Sequence, residues 1–159
     1  LPAVRVPLPV SVQLTGLAPG KLYHYRFVAA HPTFTSVGND AAFFTQPGFK
    51  RTPNMTTRTS PKRASRKPYL FTTAGTLHGA LFIPSSLRCT GRVGIRYYNG
   101  RRQVAFNLVP VGSDCRFSTQ VSFRRLINGR SANLHVDIFY RGNGYLNSTK
   151  KTDHNIRLG

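Results

Sequence analysis

The side chains in this sequence with most to offer chemically are five histidines, four aspartates and two cysteines; there is no glutamate. General acid–base catalysis needs a carboxylate or an imidazole set against a partner. Asp40, Asp114, Asp137 and Asp153 are scattered along the chain. Asp137 lies two residues from His135 on the same strand face, so the two can touch. Exposed ion pairs are far commoner than catalytic dyads, and a surface pair is the expectation. His24, His31, His78, His135 and His154 show no metal-ligand spacing. Gly142-Asn143-Gly144 reads as a turn, without the strand–helix context of a phosphate loop, and no nucleophile elbow occurs. The expectation is a protein that is not an enzyme, with no catalytic residue, metal site or cofactor.

Cys89 and Cys115 lack the CxxC or Cys/His spacing of a metal site. By strand parity Cys89 is in phase with Val93 and Ile95, and Cys115 with Phe117, so both are expected to point inward. That favours a disulfide worth roughly 3–4 kcal/mol by closing its loop. A disulfide in turn implies an oxidising place, extracellular or at the cell surface. Two buried free thiols remain the alternative, because cysteine is often buried unpaired.

Twenty-three Lys and Arg face four Asp, for a net charge of +19. Such a field attracts any polyanion: nucleic acid, anionic wall polymer or lipid headgroups. Arg outnumbers Lys seventeen to six, which also fits a plain compositional bias, and both readings stay open. The charge divides as +2 over residues 1–47, +7 over 48–68 and +10 over 69–159. Asn54-Met55-Thr56 and Asn147-Ser148-Thr149 match the N-glycosylation acceptor, a chance match in a bacterial protein and an exposed-loop signal in a eukaryotic one.

The 159 residues can hold one ordinary domain or two small ones. No apolar run approaches the length of a membrane span, so no transmembrane segment is expected. Leu1 stands first with no signal-like stretch, which suggests a mature chain or a piece of a longer one. Alternation predicts strands at 10–15 (Val10, Val12, Leu14 inward), 23–29 and 41–45. From Gly48 to Pro68 the periodicity stops. Lys50, Arg51, Arg58, Lys62, Arg63, Arg66 and Lys67 stand there among Pro, Ser and Thr with no acid between them, so 48–68 reads as a solvated, extended basic linker.

Beyond it, Val93, Ile95 and Tyr97 share one face and Arg92, Gly94, Arg96 and Tyr98 the other. Asn99-Gly100 predicts a type I′ hairpin with Tyr98 opposite Arg101, Ile95 opposite Val104 and Val93 opposite Phe106. Cys115, Phe117, Val121 and Phe123 form another apolar face, Leu134, Val136, Ile138 and Tyr140 a third, and Ile156 and Leu158 a last weak strand. Short alternating strands without helical periodicity predict an all-β antiparallel sandwich over 69–159.

The run from Leu14-Thr15-Gly16-Leu17-Ala18-Pro19-Gly20 to Tyr23-His24-Tyr25 resembles the E-to-F region of a fibronectin type III domain. The following Thr35-Ser36-Val37-Gly38 and Phe43-Phe44-Thr45 resemble its closing hairpin, and the likeness covers about residues 8–46. It implies that Tyr23 is the corner tyrosine, whose phenol anchors the turn. It also implies an incomplete, three-strand segment over 1–47, whose open face another segment or another chain must complete. Residues 69–159 resemble bacterial Ig-like repeats of actinobacterial-type surface proteins, through Cys89-Thr90-Gly91-Arg92-Val93, the Asn99-Gly100 turn and Tyr140-Arg141-Gly142-Asn143-Gly144-Tyr145-Leu146-Asn147-Ser148.

The expected function is a non-catalytic structural or adhesive module of a secreted or cell-surface protein, with neighbouring β-sandwich modules as partners. The alternative is a polyanion-binding module for anionic wall polymer or nucleic acid. It would act through the linker cations and the outward Arg92, Arg96, Arg116 and Arg124.

Overall fold

A computed structural model describes residues 9–159, except for the side chains of His154 and Asn155. The start of the expected 1–47 segment, residue 8 of the fibronectin-like stretch and the His154 imidazole thus lie outside the described residues. The chain divides between Pro47 and Gly48 into two units. Both are built from strands, and no described helix is long and apolar enough to cross a membrane.

The first unit holds β1 (Leu22–Tyr25), β2 (Val28–His31), β3 (Phe34–Val37) and β4 (Ala41–Phe44). β1 pairs with β4 and β2 with β3, both antiparallel. The strand expected over 23–29 therefore breaks at Arg26-Phe27, where the ladder changes partner and Gly38 N–H donates to Phe27 O at 2.8 Å. The strand expected at 10–15 does not form. Alternation makes a segment able to cover an apolar face, but a strand also needs a ladder partner, and no described residue pairs with this one.

The second unit is an all-β sandwich. A three-stranded sheet has the order β10 (Arg116–Phe123), β7 (Tyr69–His78), β5 (Asn54–Ser60). A five-stranded sheet has the order β6 (Arg63–Ala64), β12 (Thr149–Leu158), β11 (Ala132–Tyr140), β8 (Arg92–Asn99), β9 (Arg102–Pro110). One helical turn, α1 (Ser85–Arg88), precedes Cys89. All pairings are antiparallel except β6 with β12.

The segment 48–68 is not a linker. Seven of its residues form β5, an edge strand on β7, and two form β6. Met55, Thr59 and Ala64 are buried. The reading failed because β5 turns threonines inward: β-branched Thr suits a pleated surface, and its hydroxyl is satisfied only by partners on other strands. Thr59 Oγ1 meets Thr73 Oγ1 at 3.1 Å, and Thr73 Oγ1 meets the Tyr97 hydroxyl at 2.7 Å, a buried chain linking the two sheets.

The apolar faces read from alternation do form the core. Val93, Ile95, Tyr97, Leu134, Val136, Ile138, Tyr140, Ile156 and Leu158 lie on the inner face of one sheet and Phe117 and Val121 on that of the other, all buried. Phe71 and Leu77 of β7, a strand that alternation does not mark, join them there. The hairpin register differs from the expected one. Asn99 faces Arg102, so Gly100-Arg101 is the turn, and the ladder shifts by a bulge at Tyr97/Tyr98. Gly100 takes φ 58°, the left-handed first position of a type II′ turn. Val93 then faces Val109 and Ile95 faces Asn107, while Phe106 stands beside Arg96 and so leaves the core.

Candidate functional site

Cys89 and Cys115 are bonded as a disulfide, buried at the end of the sandwich. Close to it sits the Tyr140–Ser148 motif, whose work is structural. Asn143 Nδ2 donates to Leu87 O at 3.1 Å and to Thr90 Oγ1 at 2.9 Å, while Asn143 Oδ1 accepts the N–H groups of Tyr145 and Leu146 at 2.7 and 2.8 Å. Gly142 is required by its φ of 81° and by Leu146 O, which would lie 2.8 Å from a Cβ. The Tyr140 hydroxyl donates to Thr90 O at 2.9 Å. Burial pushes this phenol up to about 12, outweighing the opposing hydrogen bond with Asn143. The motif thus clamps the β11–β12 connection onto the chain flanking Cys89.

The basic residues singled out from sequence are not brought into one patch. Arg58 and Arg116 lie on the outer face of the three-stranded sheet, on either side of β7, flanking a shallow open trough of ≈ 550 Å³ lined by Thr56, Thr76 and Ser118. Arg92 and Arg96 lie on the outer face of the five-stranded sheet, on the opposite side of the sandwich. Arg124, exposed just past β10, and Arg66 and Lys67, exposed between β6 and β7, stand on neither face. Three former linker cations have local structural partners. Lys50 Nζ donates to Asn143 O at 2.7 Å, Arg51 lies 4.6 Å over the Phe49 ring, and Lys62 Nζ pairs with Asp153 at 2.7 Å. Arg63 is exposed on β6, opposite Arg157.

Each of the four carboxylates is engaged. Asp40 accepts from His24 Nδ1 at 2.7 Å on an exposed surface of the first unit. Asp114 caps the Arg116 N–H at 3.0 Å and stands 3.8 Å from its guanidinium. Asp137 pairs with Lys150 at 2.7 Å and accepts from Thr152 at 2.8 Å, while the His135 ring stacks on Tyr98 at 4.9 Å. Burial pushes the Asp137 carboxyl up, but Lys150, Thr152 and the charge of nearby His135 together hold it below the ordinary range. Asp153 behaves alike: burial raises it, and Lys62 with the Thr59 N–H more than offsets that. Arg58, Arg92 and Arg96 form no ion pair among the described residues, although Asp137 stands opposite Arg96 in the ladder.

Sequence reasoning placed Tyr98 on the outer face of the five-stranded sheet but missed Phe106 and Phe139 there. Phe106 and Phe139 stack in parallel, 7° apart with centroids at 6.5 Å, and Arg96 lies 4.6 Å over Phe139 and 5.8 Å from Phe106. Phe139 falls between inward Ile138 and Tyr140, so parity alone marks it as outward. Phe106 carries no such mark, because its side depends on the bulge.

In the first unit the Tyr23 hydroxyl accepts the Ala18 N–H at 2.9 Å, and Thr45 Oγ1 donates to Ala18 O at 2.8 Å, so the Leu17–Gly20 turn is pinned from two strands. Val12, Leu14, Tyr25, Phe27 and Phe43 line a cleft of ≈ 570 Å³. Val10, Val12, Leu22, Val28, Phe34 and Val37 are all more than half exposed. Large apolar patches on soluble proteins mark surfaces that meet a partner. Among the described residues no group of three or more His, Cys, Asp or Glu is placed to hold a metal ion. The chain matches no known family model, no curated protein and no solved structure.

Proposed function

We propose that this chain is a non-catalytic adhesive module of a secreted or cell-surface protein, and that what it adheres to is a polyanion. The observation that carries the reading is the charge imbalance made concrete by the fold. All four carboxylates are engaged by neighbouring groups, while Arg58 on one sheet face and Arg92 and Arg96 on the other form no ion pair among the described residues, Asp137 opposite Arg96 being taken by Lys150. Of the net charge, +17 falls on Gly48–Gly159, a density that draws polyanions over several ångströms of solvent. The buried disulfide supports an oxidising, extracytoplasmic setting. The Tyr23–Ala18 anchor supports a fibronectin-III-like first unit, and the disulfide-closed sandwich an Ig-like second one. The uncovered apolar side chains of the first unit support its completion by further strands, from a neighbouring segment or another chain.

The test is a titration of the whole chain with heparin and with an oligonucleotide at two salt concentrations. Counterion release makes log K fall linearly with log salt, at about 0.9 per neutralised phosphate on duplex DNA and 0.7 on a single strand. A steep slope for either ligand is the expected result. Weak binding with no salt dependence would leave only a spacer role for the sandwich.

A further inference from the structure

The outer face of the five-stranded sheet carries more than charge. Along β8 its outward residues are Arg92, Gly94, Arg96 and Tyr98, and the ladders set flat groups beside them: Phe139 against Gly94, Phe106 against Arg96, His135 against Tyr98. Successive rows lie about 6.6 Å apart, two residues of strand rise. Phe139 spreads over Gly94, where a glycine leaves room for the ring, and runs parallel to Phe106. The Arg96 guanidinium lies over Phe139, and the Tyr98 and His135 rings stack within 8° of parallel. One end of the strip is cationic, since Arg141 continues the ladder beside Arg92. The single carboxylate on this face among the described residues, Asp137, stands opposite Arg96 in the ladder and is paired with Lys150.

Phe106 is 42% exposed on the edge strand, a ring open to solvent, while Phe139 beneath Arg96 and Tyr98 against His135 are half-buried. A partner that is both flat and anionic at every repeat uses the whole strip: bases stack on aromatic rings and on Arg planes, and phosphates meet Arg. A wall polymer of phosphate and polyol units meets the cations and leaves the rings idle. In a duplex the base faces are already stacked. We infer that this face binds single-stranded nucleic acid, with a base on the open Phe106 ring and the neighbouring Arg96 plane, and phosphates held by Arg92 and Arg141. The inference rests on the polyanion reading above and narrows it to one class of polymer and one side of the sandwich.

Fluorescence anisotropy on the full chain decides it, with a labelled oligothymidylate of about twelve nucleotides and an abasic oligonucleotide of equal length. The expected result is binding of oligothymidylate roughly tenfold or more tighter than the abasic strand, the size of one base–aromatic stack. Phe106→Leu keeps apolar bulk on an edge strand and removes the ring. It should erase most of that difference and leave abasic binding unchanged, with an unaltered urea midpoint showing that the fold is intact. Arg92→Gln should weaken both ligands and flatten the salt slope by about one phosphate contact. Equal affinity for the two strands, or a difference that survives Phe106→Leu, overturns the inference while leaving the polyanion reading standing. Binding to neither strand nor heparin at low salt overturns both.

Discussion

Phe139 stands directly opposite Gly94 in the β8–β11 ladder, and its phenyl ring occupies the space a side chain at Gly94 would need. The other sheet repeats the device on its inner face: Phe117 is opposite Gly75, and its Cζ would lie 2.5 Å from a Cβ there. In each case a glycine inside a strand, ordinarily a weak point, is covered by the ring of its neighbour. Gly94→Val should therefore cost about 1–3 kcal/mol by overpacking. In a urea series, adding Phe139→Ala should recover part of that loss. Strict additivity of the two changes would show that the ring and the glycine are not coupled.

The Thr59–Thr73–Tyr97 hydroxyl chain makes a second prediction. Burial raises the Tyr97 phenol despite the opposing Thr73 hydrogen bond, so it stays protonated and needs its partner. Thr73→Val matches the shape but strands two buried hydroxyls, and should cost about 1–3 kcal/mol. Tyr97→Phe in the Thr73→Val background should cost less than it does alone. Independent costs in the double-mutant cycle would count against a connected chain.

Asp153 ties β12 to the segment once read as a linker, through Thr59 N–H at 2.8 Å and Lys62 at 2.7 Å. Its carboxyl is held below the ordinary value of 3.8, so its contribution is complete above that pH and is lost as pH falls through the folded value. Asp137, shifted the same way, loses its contribution in the same acid window. Asp153→Asn should lower stability at neutral pH by about 1–3 kcal/mol and make the acid loss shallower. Urea midpoints across that window check it, and parallel curves for the two proteins would contradict it.

The Cys89–Cys115 bond closes a loop across 26 positions. On the chain-entropy account its removal should cost roughly 3.5 kcal/mol. The Cys89→Ala/Cys115→Ala protein should show that drop in urea and lose all response to reductant. A midpoint matching the oxidised parent would show the bond to be energetically idle.

Alternation was enough to identify β8 and β11, because a strand buried on one face must repeat every second residue whatever its neighbours are. Parity also predicted that Cys89 and Cys115 point inward. Both are buried, but neither lies in a strand, since Cys89 caps α1 and Cys115 takes φ 63° in the turn before β10, so strand parity is not what places them. Alternation failed at β5, where the inward positions are Met55, Thr57 and Thr59. Two of those three are hydroxyl side chains, and whether Thr59 sits in water or in the core depends on Thr73 and Tyr97 being there to meet it. It failed again at β12, whose residues from Thr149 to Asp153 are polar. Their strand conformation comes from the β11 ladder on one side and, in part, from Asp153 reaching Thr59 on the other.

By itself the sequence determined the all-β class, the inward faces of β8 and β11 and the excess of positive charge. These follow from local periodicity and composition, which no distant residue can change. The tertiary structure alone decided that 48–68 folds as strands and that Arg58 and Arg92 face opposite ways. It also decided that Phe106 joins Phe139 and Arg96 outside the core. Each depends on which strand lies alongside which, and on a one-residue bulge at Tyr97/Tyr98, where a single step of register moves a side chain from one face of a sheet to the other.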